Sequence, residues 1–284
     1  MIRLSRKDDL NDIVILWNEA FGDSEDDIKF FLDSRYIPEN TVVFECDGRI
    51  VSVLFLLDGM MHINGCDYSS YYLYAACTLK DYRGKGIMSD MLGFAKSLSI
   101  SRNKQFIILK PGEKSLYGYY EKYGYKSVFT KKIIEINGNI NAVEEIKSEN
   151  NITSEILNSR DNMLYNTDYF KWDSDAIKFA ISHHIHFGGE CFLNSNGYIL
   201  YYINDKVLFV KESTLADKTE FLNVISHLKN QFKTDSVIAD LPYDYKIPCD
   251  KSEISDSGMI LPLNNNAENL ISDSNNAYLN LALD

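Results

Sequence analysis

Along the first 130 residues, short apolar runs alternate with segments of helical period. Ile2–Leu4 reads as a strand, and Asp8 and Asp9 open a helix in which Leu10, Ile13, Val14, Leu16 and Trp17 share one face. A second helix is expected over Asp26–Ser34, started by the Ser24 cap. Three strand-like runs follow, Thr41–Cys46, Ile50–Leu57 and Tyr71–Leu79, with an Asp47–Gly48 hairpin turn between the first two. Lys85–Ser101 predicts a helix, with Ile87, Met91, Leu92, Ala95 and Leu98 at helical spacing. A strand at Phe106–Leu109, a short helix at Lys114–Lys122 and a strand at Lys126–Ile136 complete the series. The order predicts a mixed-sheet α/β layer of the α+β kind rather than a βαβ repeat.

From 137 to 151 the chain turns polar and rich in Asn and Glu, which predicts a linker between domains at 1–136 and 152–284. The second stretch predicts hairpin strands at Gly197–Ile203 and Lys206–Lys211, a helix at Leu215–Phe232 and a strand at Ser236–Leu241. Further strands are expected near Met259–Leu263 and Tyr278–Leu283. This order and spacing resemble those around Tyr71–Leu109, which suggests a duplicated fold.

Composition narrows the function classes. The 284 residues are 45% hydrophobic and 25% charged, as in an ordinary globular protein. With 29 basic and 41 acidic residues the net charge is −12, and residues 131–284 hold 23 of the acids against 13 basic residues. Nucleic-acid binding rests on Lys and Arg neutralising phosphates, so it is disfavoured, whereas a cation would be tolerated. Five cysteines without a CxxC pair, an N-terminus without an apolar signal core and the lack of a long apolar run predict a cytoplasmic protein with no membrane partner.

The chemistry concentrates in Tyr74–Ser89, YAACTLKDYRGKGIMS: a strand, a short loop, then Arg-Gly-Lys-Gly at a helix start. Two glycines let amides approach a ligand closely, and a helix N-terminus adds unpaired donors, so the segment can cradle a pyrophosphate. Arg83 and Lys85 add positive charge there. An ordinary glycine turn before a helix would look the same. The loop lacks the Gly-Lys-Ser/Thr of a P-loop and is not a GxGxxG dinucleotide fingerprint. Downstream, YGYYEKYGY at Tyr117–Tyr125 ends in Gly124, which reads as a helix-stopping residue.

Together, RGKGIM and YYEKYGY resemble the GNAT superfamily of acetyl-coenzyme A-dependent N-acetyltransferases over about residues 1–130. The family's Arg/Gln-x-x-Gly-x-Gly/Ala motif is met by Arg83 and Gly86, with Met88 in the last small position. Its later Asn-x-x-Ala-x-x-Leu-Tyr-x-Lys-x-Gly-Phe element is matched by Tyr120, Lys122, Gly124 and Tyr125, with Glu113 in place of Asn and Leu116 in place of Ala. The resemblance implies that Ala76, Cys77 and Thr78 pair their main chain with the pantetheine arm. It also implies that Gly84, Lys85, Gly86, Ile87, Met88 and Ser89 bind the pyrophosphate beside Arg83, and that Tyr120 is the general acid at the coenzyme sulfur. The second stretch is similar to the degenerate GNAT-like domain of two-domain members of the enhanced-intracellular-survival type. Its equivalent turn, Glu212–Lys218, has no glycine and two acids, which suits a noncatalytic lobe.

A general base is harder to place. Asp284 carries a side-chain carboxylate, joined by a terminal one if the chain ends there, and Asp58 and His62 are the other candidates. His183, His184 and His186 sit in a run read as a strand, but without a further ligand motif they suggest no metal site. Cys77, on a strand without a neighbouring His or acid, reads as an inert thiol. The expected activity is transfer of an acetyl group from acetyl-coenzyme A, without metal, to a primary amine of a small and possibly cationic molecule. The alternatives are a noncatalytic coenzyme A-binding or scaffolding module on the same fold, and a protein or peptide N-acetyltransferase.

Overall fold

The computed structural model describes residues 1–138, 146, 148–149, 151–272, 274 and 276–281. In chain order the elements are β1 (Ile2–Leu4), α1 (Leu10–Phe21), α2 (Glu25–Arg35), β2 (Thr41–Cys46), β3 (Arg49–Ile63), β4 (Cys66–Thr78), α3 (Ile87–Ser101), β5 (Phe106–Leu109), α4 (Tyr117–Glu121) and β6 (Lys126–Asn137). Then come α5 (Ser154–Met163), β7 (Tyr169–Lys171), α6 (Ser174–His186), β8 (Glu190–Asn194), β9 (Gly197–Asn204), β10 (Val207–Ser213), α7 (Lys218–Phe232), β11 (Ser236–Leu241), β12 (Lys251–Pro262) and α8 (Asn265–Ile271). They form two compact units that are not consecutive stretches of chain: Met1–Met61 with Tyr68–Lys126 and Met259–Asp273, and His62–Asp67 with Ser127–Gly258 and Ser274–Asp284.

In the first unit the strands run β1-β2-β3-β4-β5-β12. Most pairs are antiparallel; β4 and β5 are parallel, and Met259–Pro262 of β12 closes the far side of β5. Local chemistry sets the boundaries. Ser24 Oγ accepts from the Asp27 amide while Asp27 reaches back to Ser24, a capping box that starts α2. Asp47 and Gly48 both take positive φ, as a two-residue hairpin turn requires, and Asn64–Gly65, counted with the second unit, makes a second such turn. That second turn lengthens β3 and β4 beyond their apolar cores. Ile13, Leu16, Trp17, Ile28 and Phe31 of the first two helices are buried, as are Met91, Leu92 and Ala95 of α3 and all of β5.

The second unit orders its strands β6-β11-β10-β9-β8, with β10 and β11 parallel between antiparallel neighbours. Its core joins Phe221, Val224, Ile225 and Leu228 of α7 to Ile199, Leu208, Val210, Val237 and Ala239 of the sheet. The duplication suggested by spacing is thus a repeated arrangement: hairpin, helix, then a strand parallel to the hairpin's second strand.

Several expectations are corrected. The His183–His186 run lies at the end of α6, not on a strand, so His184 and His186 point about 200° apart around a helix. Of the strand expected at Tyr278–Leu283, residues 282 and 283 lie outside the described residues, and the described part shows a bridge at Tyr278, next to one at Ala277, with Leu281 at φ +59°. Helix α7 begins at Lys218 because Asp217 caps it, so Glu212 and Ser213 belong to β10 rather than to the turn. Most of the 137–151 linker lies outside the described residues.

Candidate active site

Apart from His62, the site residues expected in the first 130 positions belong to the first unit. Its central feature is the end of β4. The parallel ladder to β5 covers only Ser70–Tyr72 against Phe106–Ile108, although β4 continues to Thr78. Between the two lies Ala75 at φ +47°, a left-handed residue that costs an alanine about 1–2 kcal/mol and turns the strand. The Leu79 amide donates to Val51 and Ser52 Oγ donates to the Cys77 carbonyl at 2.7 Å, so these residues address β3. By the two-residue alternation of a strand, Ala76 and Thr78 present their main chain to the opposite edge. The Thr78 carbonyl there accepts from Arg83 Nε at 2.8 Å.

A single 3₁₀ turn at Lys80–Tyr82, tied down by the Lys80 amide on Glu19, leads into the glycine loop. Gly84 and Gly86 sit at φ +74° and +81°, where L side chains are strained, and a Cβ at either would meet nothing. Gly86 caps α3 without any side-chain bond to the helix start, so the first-turn amides of Ile87, Met88 and Ser89 are uncapped. Arg83–Gly86 is exposed, Ile87 is buried, and the Lys85 ammonium lies 4.9 Å from the centre of the Tyr82 ring. A concave row of amides at a positive helix end, flanked by Arg83 and Lys85, can hold a pyrophosphate.

Tyr120 is buried on α4 against Tyr119 and Tyr125, ring centres 5.3 and 5.5 Å away. Burial pushes its phenol up to about 12, so it is protonated at neutral pH. One turn on, Tyr123 lies 5.1 Å from Tyr119, ring centre to ring centre, and the neighbouring Ser89 and Tyr119 side chains hold its hydroxyl below the usual range. Tyr123, just past the end of α4, is thus a neighbour of Ser89 in the first turn of α3.

The base candidates fare differently. Asp58 is half-exposed and accepts from Asn40 Nδ2 at 2.9 Å and Lys104 Nζ at 2.6 Å. His62 belongs to the second unit, where its Nδ1 lies 2.5 Å from Asp67 Oδ1. Asp284 lies outside the described residues. Burial pushes the Cys77 thiol up to about 12, which matches an inert side chain. Among the described residues, no group of three or more His, Cys, Asp or Glu could hold a metal ion, and no helix is long and apolar enough to cross a membrane. Sequence reasoning missed Ala75, Ser52 and the proximity of Ser89 and Tyr123. An alanine carries no turn signal, and a serine inside an apolar run reads as an interruption, so nothing in the local pattern marked the first two.

Comparison with known proteins bears on the fold. Residues 1–128 match the family described as the acetyltransferase (GNAT) domain. A search of curated proteins finds no match. Among solved structures, a protein of Enterococcus faecalis V583 described as a "Probable N-Acyltransferase" aligns with TM-score 0.76 at 14% identity, over 96% of this chain and 74% of that one. A GCN5-related N-acetyltransferase from Anabaena variabilis ATCC 29413 gives 0.75 at 13% identity, covering 93% and 73%. Eis1 from Mycobacterium abscessus gives 0.68 at 11%, covering 93% and 74%. At such identities the likeness is one of fold.

Proposed function

We propose, from the match of residues 1–128 to the acetyltransferase (GNAT) domain family, that the chain moves an acetyl group from acetyl-coenzyme A to a primary amine of a small molecule. The observation that carries the reading is the junction of β4 with α3, a turned-out strand edge beside an uncapped, glycine-lined helix start. Main-chain groups of Ala76 and the Thr78 amide suit pairing with the pantetheine arm, since the carbonyls of Cys77 and Thr78 are already engaged by Ser52 and Arg83. The amides from Gly84 to Ser89 suit the pyrophosphate, and they act through backbone, so Met88 in a usually small position leaves them in place.

Acetyl-coenzyme A would supply the activated thioester carbonyl. Tyr120 would donate its hydroxyl hydrogen toward the leaving sulfur. With a phenol near 12 against an ordinary thiol near ~8.5, that donation is a strong hydrogen bond to a developing thiolate rather than an early proton transfer. Asp284 is our choice for the group that relieves the attacking amine of its proton. Five free thiols fit a reducing, cytoplasmic setting.

The test is release of free thiol from acetyl-coenzyme A across a library of small amines, run beside the melting temperature with the coenzyme. Amine-dependent release together with a raised melting temperature is expected. Stabilisation without release by any amine or peptide would make the protein a binding module, and release with peptides alone would make the acceptor a polypeptide.

A further inference from the structure

The second unit repeats the strand arrangement of the first without its phosphate loop. Thr214–Asp217 has no glycine, and α7 is capped by Asp217 Oδ1, which accepts from the Glu220 amide at 2.8 Å. A helix start closed by a carboxylate repels an anion. The strand before it is nonetheless disturbed as β4 is: the β9–β10 ladder steps from Val210 opposite Tyr201 to Glu212 opposite Leu200, which leaves Lys211 as an extra, bulged residue. At that bulge a cavity of about 230 Å³ opens between α6, β9, β10 and the segment at Asn280–Leu281.

Three observations define what this cavity suits. First, Glu212 lines it although the residue is 1% exposed, while its counter-ion Arg160 does not line it. Arg160 gives Nε to Glu212 Oε1 at 2.9 Å, Nη1 to the Phe170 carbonyl at 2.8 Å, and Nη2 to the carbonyls of Leu279 and Asn280 at 3.4 Å. Glu212 Oε2 accepts from the Tyr278 hydroxyl at 3.2 Å and the Asn280 side chain also stabilises the charged form, which leaves part of the carboxylate's four acceptor positions open. Second, the His184 ring is wedged against Gly189 and bonded to the Tyr201 carbonyl at 2.8 Å, and burial lowers its pKa, so it brings no positive charge at neutral pH. Lys211, which also lines the cavity, has an interaction of its own. Third, Phe187 and Tyr202 add aromatic surface, and a ring face attracts a cation.

The geometry points to this cavity as a second, noncatalytic binding site for a small organic cation, its ammonium on Glu212 and its apolar part against Phe187, Tyr202 and Leu200. An apolar cavity of ~150 Å³ holds benzene, so about 230 Å³ admits a single-ring amine such as benzylamine. The assignment holds whether or not the first unit transfers an acetyl group.

The experiment uses the full chain without acetyl-coenzyme A, labelled by a diazirine derivative of benzylamine and mapped by peptide mass spectrometry. Label is expected on peptides containing Phe187, Tyr202 or Leu281. Excess benzylamine should compete it away while the anion phenylacetate does not. Ala180→Phe, which fills the cavity, and Phe187→Ala, which removes a half-exposed wall, should each lower it about tenfold or more, the scale of a lost buried apolar contact. Label confined to the first unit, equal competition by phenylacetate, or unchanged labelling in folded Ala180→Phe would each overturn the proposal. If Ala180→Phe does not fold, unchanged labelling of Phe187→Ala decides against it.

Discussion

At neutral pH, Tyr120 holds its proton and can donate it. Its folded pKa of about 12 lies above the ~10 of a free phenol, so the folded state holds the proton more tightly than the unfolded chain does. The stability linked to it is therefore fully present below pH ~10 and is lost as pH rises toward 12. The same shift keeps the acid in its working form, so the rate should rise with pH as amines deprotonate and show no alkaline limb from Tyr120 below pH ~11. Tyr120→Phe keeps the ring contacts with Tyr119 and Tyr125. It should lower kcat about 10²–10⁴-fold with melting temperature nearly unchanged. Turnover equal to the parent protein would remove Tyr120 from the chemistry. At this scale the sequence was informative where function needs a special residue type, a glycine with positive φ or a tyrosine before a helix stop. It was silent where an ordinary residue takes a special conformation, as Ala75 does.

Among the elements, α3 depends on Gly86, which caps it from outside. Gly86→Ala would place a Cβ in open space, so crowding costs nothing and only backbone strain remains, about 1–2 kcal/mol at φ +81°. Relief of that strain turns the first amides of α3 away from their common focus. Affinity for acetyl-coenzyme A should therefore fall at least about tenfold while global stability falls by no more than ~2 kcal/mol. Calorimetric titration beside chemical denaturation separates the two, and unchanged affinity would show that the helix start does not hold the coenzyme. The contrast with α5 and α6 explains what the periodicity could not show. Helix α5 buries Ser159 and Arg160 beside Ile156 and Leu157, so its inward face is half polar and no apolar stripe marks it. The end of α6 carries three histidines whose alternation imitates a strand, and only packing decides between the periods.

In the whole molecule the chain passes between units more than once, and each unit needs residues remote in sequence. The first obtains the outer partner of β5 from Met259–Pro262, so a fragment of residues 1–136 should fail to melt cooperatively, with β5 unpaired on that side. The second is pinned by Arg160, whose guanidinium joins α5 to β10, to Phe170 of β7 and to the main chain at Leu279 and Asn280. The Arg160–Glu212 pair is 1% exposed on both sides, where removing one partner strands an uncompensated charge. Arg160→Met should cost about 3–5 kcal/mol in denaturant unfolding, and the double variant Arg160→Met/Glu212→Leu should cost less than the sum of the two single changes, because it removes the stranded carboxylate as well. Additive losses would mean that the carbonyl contacts of Arg160, and not its pairing with Glu212, hold this unit together.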